Sequence, residues 1–160
     1  MNQVKWNIIE GEGHFHKSVK ILEGDPCKEC GRPQHQETKW KLKDDLFTDF
    51  AKSVAAASRA GKLSTSQLRN FYDAIKTTEG RLIQEADPET RAGMFDIEKS
   101  RLKLLFAKIH YARSNGRIPS VFATFMEKCL RIVTDEDAKY RDFEAFVLTF
   151  EAVAGYFGKE

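Results

Sequence analysis

Apolar residues recur with a helical period along most of the chain after residue 43. The clearest stripe, with i, i+3, i+4, i+7 spacing, is formed by Phe143, Phe146, Val147, Phe150, Val153, Ala154 and Phe157. The same period predicts four earlier helices, over Asp44 to Gly61, Thr65 to Thr77, Phe95 to Ser114, and from Ile118 onward. Residues 78–92, with Gly80 and Asp87-Pro88, are predicted to be a loop or a short frayed helix. The pattern therefore predicts an all-α bundle of five helices with short connections.

The first part of the chain has a different pattern. Hydrophobic residues alternate with polar ones in two runs, with glycines between them, over residues 1–24. Such alternation is typical of a β-hairpin. Residues 25–38 are polar and loop-like. We therefore expect a small N-terminal extension, residues 1–42, followed by a helical bundle domain, residues 43–160.

Composition permits one ordinary domain with an appendage. The chain has 160 residues, of which 41% are hydrophobic, enough for a proper core. No apolar run approaches the roughly 18 residues that a membrane span needs. The N-terminus, beginning Met1-Asn2-Gln3-Val4-Lys5-Trp6, lacks the basic-then-apolar layout of a signal peptide. A cytoplasmic location is therefore expected, and the three cysteines do not suggest a disulfide framework.

Charge is unevenly distributed. The net charge is 0 over residues 1–58, +6 over 59–131 and −4 over 132–160. A basic middle and an acidic end can bind phosphate on one side and a basic protein on the other. The alternative is that both are ordinary solvated surface. The third predicted helix contributes cations on both flanks of its apolar face, namely Lys99, Lys103, His110, Arg113 and Arg117 on one flank and Arg101 and Lys108 on the other.

The second predicted helix opens with a recognisable cap. Ser64 followed three residues later by Gln67 forms a capping-box pattern. Lys62 lies just before this cap and Arg69 in the early turns. Cations are unfavourable near a helix N-terminus, so they suggest an anionic partner, although solvated surface charges are an equal alternative.

Cys27-Lys28-Glu29-Cys30-Gly31 is a candidate zinc knuckle. Two thiolates on one tight turn can reach a single tetrahedral ion. His14 and His16 flank Phe15 and would share one face of a strand, so a site of Cys27, Cys30, His14 and His16 is predicted, with His35 as an alternative ligand. The cysteines could instead form a redox dithiol or remain unlinked. Zinc would be structural here, since its binding supplies folding energy.

No convincing catalytic set is found in the sequence. There is no glycine-rich phosphate loop, nucleophile elbow or H-E-x-x-H motif. Most of the 12 phenylalanines lie on helical apolar stripes and are predicted to form the core rather than to stack on bases. Cys129, on such a stripe, is predicted to be a small core residue. We therefore predict that the chain is not an enzyme.

Three patches resemble a known family. The run from Leu63 to Arg69, the run from Lys108 to Arg113 followed by Gly116-Arg117, and the C-terminal Ala154-Gly155-Tyr156-Phe157 occur in the order and spacing of the small subunit of type III-A CRISPR effector complexes, the Csm small subunit. The resemblance covers about residues 45–160. The cysteine-containing extension is not part of the pattern, and the Gly-Arg pair is slightly displaced.

The resemblance implies a non-catalytic scaffold subunit. Family members stack head to tail along a crRNA-containing assembly and line the groove that holds the target RNA, mostly through backbone contacts. The expected partners are therefore crRNA and target RNA, other subunits of the complex and copies of the chain itself. The residues expected to bind RNA are Lys62, Arg69, Lys108 and Arg113 from the matching patches, with Arg117 added from the basic stripe. The acidic last helix is expected, from its charge, to face protein neighbours.

Two other functions fit the sequence. One is a zinc-knuckle adaptor whose helical bundle binds a protein partner. The other is an enzyme with a redox dithiol at Cys27 and Cys30.

Overall fold

The computed structural model describes residues 3–26 and 33–158, and the side chains of residues 3–19 and 39–158. A short helix α1 (Asn7–Glu10) precedes two strands, β1 (His16–Pro26) and β2 (Pro33–Leu42). A π-helical turn (Leu46–Phe50) leads into α2 (Ala51–Ala60). The remaining helices are α3 (Thr65–Ile83), α4 (Pro88–Ser114), α5 (Ser120–Val133) and α6 (Tyr140–Phe157). The protein is mostly helical, as predicted, and the five long helices α2–α6 match the five expected.

The N-terminal hairpin is real but lies later in the chain than predicted. β1 and β2 are antiparallel, and their register runs from His16 opposite Leu42 to Glu23 opposite His35. Residues 33–38, expected to be loop, therefore belong to a strand. The first alternating run is not a strand either, since part of it forms α1 (Asn7–Glu10). The buried side chains there, Val4 and Ile9, do not follow a period of two.

Residues 78–92 are more helical than the sequence suggested. α3 continues through Gly80 to Ile83, and α4 begins at Pro88. Leu82 is fully buried, and the Asp87 carboxylate accepts a hydrogen bond from the Thr90 backbone N–H at 2.9 Å. Burial of Leu82 therefore outweighs the cost of Gly80 within α3, and Pro88 stands at the first position of α4, where proline is favoured.

One aromatic core holds the bundle together. Phe125 lies at its centre, with ring centroids 5.9 Å from Phe150, 6.4 Å from Phe146 and 6.2 Å from Phe50. Ten of the twelve phenylalanines are buried and the other two are half-buried, which confirms their predicted role. Cys129 is also fully buried, and burial raises the pKa of its thiol well above the usual value.

The N-terminal segment packs onto this core. Val4, Ile9 and Phe15 belong to the same apolar cluster as the helices. The Lys128 ammonium of α5 forms an ion pair with Glu10 and lies over the Trp6 ring, 5.8 Å from its centroid. Residues on both sides of the expected boundary at residue 42 therefore share one hydrophobic core.

Candidate nucleic-acid interface

The link between α2 and α3 fixes the position of Lys62. Its N–H donates to the Arg59 carbonyl at 2.9 Å, and the Leu63 N–H donates to the Ser58 carbonyl at 3.0 Å. These two bonds form a Schellman motif, which requires a left-handed residue at its turn. Lys62 occupies that position with φ 67°. Because Leu63 is buried, the adjacent exposed lysine is held at a defined point of the surface.

Half of the predicted capping box of α3 is present, since among the described residues the Gln67 side chain accepts no hydrogen bond from the Ser64 N–H. The Ser64 hydroxyl accepts a hydrogen bond from the Gln67 N–H at 3.2 Å. Leu68, Phe71 and Ile75 are buried on the core side of the helix. Arg69 lies on the outward side and is exposed.

The end of α4 repeats this backbone geometry. Gly116 adopts φ 67°, and the Arg117 N–H donates to the Ala112 carbonyl at 2.8 Å. Because Ile109 and Ala112 are buried, Lys108 and Tyr111 are directed outward. The Arg117 guanidinium lies over the Tyr111 ring, 5.6 Å from its centroid. This turn therefore places an arginine and an aromatic ring side by side on the surface.

A groove of about 330 Å³ separates the first half of α3 from the second half of α4. Its lining consists of Gln67, Asn70, Phe71, Ala74, Leu105, Lys108, Tyr111, Ala112 and Arg117. The lining includes two cations and no acidic residue. The structure thus brings Lys108 and Arg117 together at one concave surface, whereas Lys62 and Arg69 lie outside it.

Most of the predicted RNA-binding cations have no acidic partner. Among the side chains of residues 3–19 and 39–158, no carboxylate forms an ion pair with Lys62, Arg69, Lys108 or Arg117. Arg113 differs, because its Nη2 lies 2.7 Å from Glu127 Oε1 on α5. Its charge is already matched within the protein.

The basic stripe predicted on α4 is less continuous than the sequence suggested. Lys99 is buried, lies 3.1 Å from Asp96 and donates to the Glu136 carbonyl at 3.2 Å. Arg101 donates to Glu98 at 3.1 Å, and Glu98 also accepts two hydrogen bonds from Arg81. Lys99 is therefore withdrawn from the surface, whereas Arg101 stays exposed but is paired within its own helix. The cations of the predicted stripe that have no carboxylate partner among the described side chains lie toward the C-terminal half of α4.

Three residues of the groove were not predicted from the sequence to belong to the site. Gln67 was assigned only to the helix cap, and Asn70 and Tyr111 were given no role. All three line the groove. The signal that could have found Tyr111 is its position between the buried residues Ile109 and Ala112, which leaves its ring outside the core stripe.

The predicted zinc site is only partly within the described residues. Cys27 and Cys30 lie outside them, and the side chain of His35 is not described. Elsewhere in the described chain, no group of three or more His, Cys, Asp or Glu side chains comes together. Zinc binding therefore stays a prediction, as does the redox alternative.

His14 and His16 do not share a strand face, contrary to the prediction, because β1 begins only at His16. His14 precedes β1, has φ 52°, and its Nδ1 lies 3.0 Å from the Ile9 carbonyl oxygen. His16 is buried at the first position of β1, with Nδ1 3.7 Å from Asp142 Oδ1. Burial lowers the pKa of His16, and the nearby Asp142 carboxylate partly opposes that shift.

Comparison with known families decides what kind of protein carries this surface. The family model for Csm2 Type III-A matches residues 41–158, which include the helical bundle and all five predicted RNA-binding residues. The chain belongs to the Csm2 Type III-A family. Csm2 is the small subunit of type III-A CRISPR effector complexes, so the resemblance in the sequence is confirmed.

Csm2 is a structural and generally non-catalytic subunit of a multi-subunit effector complex. The match begins at residue 41, so the short helix and most of the hairpin are features of this chain outside the matched region.

No curated protein and no solved structure matches the chain. None of the described helices is both long and apolar enough to cross a membrane.

Proposed function

We propose that this Csm2 chain is a non-catalytic subunit that binds the backbone of crRNA and target RNA in the type III-A effector complex. The observation that carries the proposal is the groove between α3 and α4, where Lys108 and Arg117 lie beside the polar side chains of Gln67 and Asn70. Lys62 and Arg69 extend the same basic character to the exposed start of α3.

Electrostatics favours an anionic ligand at this surface. Cations without carboxylate partners keep their full charge for phosphate oxygens, to which Lys and Arg bind without regard to sequence. Arg113 has a smaller role in the proposal, since its guanidinium already donates to Glu127. The backbone turns that hold Lys62 and Arg117 define where two of these charges lie.

Assembly with protein neighbours is the second part of the proposal. Ile97 and Leu104 lie seven residues apart on α4, and each is 66% exposed. Side chains seven residues apart share a helix face, and the exposure of two large aliphatic groups there supports a protein contact. We propose that the part of this face at Ile97 and Leu104 meets other subunits or further copies of the chain, which stack along the complex. Tyr111, seven residues after Leu104, continues the same face into the groove and is left to the RNA.

RNA binding is tested by fluorescence anisotropy with a single-stranded RNA at several salt concentrations. Each phosphate contact contributes about 0.7 to the slope of log K against log salt. Lys108→Ala, Arg117→Ala and Arg69→Ala should each weaken binding and lower this slope. The matched control is Arg131→Ala, because Arg131 is an exposed cation in a depression shared with Asp135, Asp137 and Asp142.

The control variant should bind RNA as the unmodified chain does. If Lys108→Ala, Arg117→Ala and Arg69→Ala all bound RNA as the unmodified chain does, the assignment of RNA binding to this surface would be refuted. Absence of salt-dependent RNA binding by the full chain would refute the RNA-binding function itself.

A further inference from the structure

We propose that the groove between α3 and α4 holds one unstacked nucleobase of single-stranded RNA against the ring of Tyr111. This proposal rests on the proposed RNA-binding function and adds to it a base contact, where the family resemblance implied mostly backbone contacts. It assigns a role to Tyr111, Gln67 and Asn70, to which sequence analysis gave none at this surface.

The first observation is the exposure of an aromatic ring beside a cation. Tyr111 is 59% exposed, whereas every phenylalanine of the chain is at least half-buried. The Arg117 guanidinium lies 5.6 Å from its ring centroid. Unstacked RNA bases are commonly bound on aromatic rings and on arginine planes, and this pair offers both surfaces at one place.

The second observation is the chemistry of the groove. Its floor includes the buried apolar residues Phe71, Leu105 and Ala112. Gln67 and Asn70 contribute amide groups, each with hydrogen-bond donors and an acceptor suited to the edge of a base. No other described residue forms a hydrogen bond with either amide side chain, so both remain available to a ligand.

The third observation is the charge of the lining. Lys108 and Arg117 are its ionisable cations, and no carboxylate lines the groove. A nucleotide satisfies all of these features, since its phosphate pairs with the cations while its base covers the apolar floor and the tyrosine. An acidic peptide would match the cations but would leave the two amides and the exposed ring without a specific role.

The decisive measurement uses the full chain and two RNA probes of equal length. One is a single-stranded oligouridine, and the other carries the same phosphates with abasic sugars. Base stacking on an aromatic side chain contributes about 1–3 kcal/mol, which corresponds to a factor of about 5 to about 150 in affinity. Tyr111→Ala should therefore weaken binding to the oligouridine by that factor and leave binding to the abasic probe unchanged.

Further variants separate stacking from other effects. Tyr111→Phe keeps the ring and should bind the oligouridine nearly as the unmodified chain does, whereas Tyr111→Leu should resemble Tyr111→Ala. The matched control is Tyr156→Ala, because Tyr156 is 37% exposed and also lies beneath a cation, with Lys52 Nζ 5.3 Å from its ring centroid. That variant should leave both affinities unchanged.

The outcomes distinguish this proposal from the function on which it rests. Equal affinities of Tyr111→Ala and the unmodified chain for oligouridine would overturn the base contact, and so would equal losses on both probes. In either case, a salt slope that still falls in Lys108→Ala would leave backbone binding intact. If neither probe bound the full chain, both proposals would fail.

Discussion

The Arg113 guanidinium donates a 2.7 Å hydrogen bond to the Glu127 carboxylate and thereby links α4 to α5. Both side chains are partly exposed, at 37% and 20%. A pair of this kind contributes at most about 1 kcal/mol. The arginine is therefore as much part of the packing between helices as of the basic surface.

Replacing Arg113 should lower the free energy of unfolding measurably, while its effect on RNA binding should be smaller than that of replacing Lys108. Arg113→Ala is expected to lower the free energy of unfolding by about 0.5–1 kcal/mol, because Glu127 loses its partner. Urea denaturation of Arg113→Ala, Glu127→Ala and the double variant measures the coupling between the two residues. In RNA-binding experiments, Arg113→Ala should reduce the salt slope less than Lys108→Ala does, and a larger reduction would contradict this division of roles.

Gly61 is expected to tolerate no side chain. A Cβ added at this position would lie 2.5 Å from Pro119 Cβ, where the end of α2 meets the start of α5. Overpacking of this kind costs about 1–3 kcal/mol, so Gly61→Ala should lower the denaturation midpoint.

The control for Gly61→Ala is Gly80→Ala, within α3. No atom lies within 4 Å of a Cβ added at Gly80, and alanine is favoured over glycine in helices by roughly 0.5–1 kcal/mol. Gly80→Ala should therefore raise the midpoint. If Gly61→Ala raised the midpoint as Gly80→Ala is expected to, steric overlap with Pro119 would not be the reason that glycine occupies position 61.

His16 should make the fold less stable in mild acid. Its ordinary pKa of 6.5 is lowered in the folded protein, mainly by burial and also by Arg141 and Lys43, while Asp142 acts in the opposite direction. Because folding favours the neutral imidazole, the contribution to stability is complete above pH 6.5 and is lost as the pH falls below that value. The free energy of unfolding should therefore decrease from pH 7.5 to pH 5.5.

Urea denaturation at the two pH values tests this expectation. In His16→Gln the decrease should be smaller than in the unmodified chain. His110→Gln replaces an exposed histidine of α4 and should leave the decrease unchanged. Identical pH dependence in all three proteins would exclude His16 as its source.

Zinc binding by the cysteine motif is tested by elemental analysis of the purified chain. We expect about one zinc per chain, lost in Cys27→Ser, since removing one thiolate opens a four-ligand site. Cys129→Ala is the control, because Cys129 is buried in the helical core. A metal-free unmodified chain, or a zinc content unchanged in Cys27→Ser, would refute the site.

The sequence predicted the bundle well where apolar periodicity and capping agreed. The stripe of α6 and the Ser64 cap of α3 both lie where they were expected. Prediction failed between residues 78 and 92, because Gly80 and Pro88 were given more weight than the local pattern: Leu82 lies seven residues after Ile75 on the same stripe, and Asp87-Pro88 is a helix-start pattern. Only the ion pair of Arg81 with Glu98 is a contact between distant positions that the sequence does not reveal. The hairpin was misplaced for a related reason, since pairing of residues 16–26 with 33–42 depends on register rather than on composition.

The candidate site was predicted less completely than the fold. Individual cations could be identified from their spacing, but their partners could not. Glu127 is 14 residues from Arg113, so this charge pairing is visible only in three dimensions. The carboxylate partner of Lys99 is Asp96, three residues away on the same helix, whereas its hydrogen bond to the Glu136 backbone carbonyl, 37 residues away, depends on the fold. The groove likewise forms only when α3 and α4 pack together, and it contains Asn70 and Tyr111 for that reason alone.

The left-handed conformation of Lys62 has a consequence for how this surface can vary. A side chain at positive φ costs roughly 1 kcal/mol relative to glycine, so Lys62→Gly would strengthen the fold at the turn while removing a positive charge from the start of α3. Stability and charge thus make opposite demands on a single position. A chain selected only for its fold would be expected to carry glycine there, and the lysine is the choice that a ligand-binding role would favour.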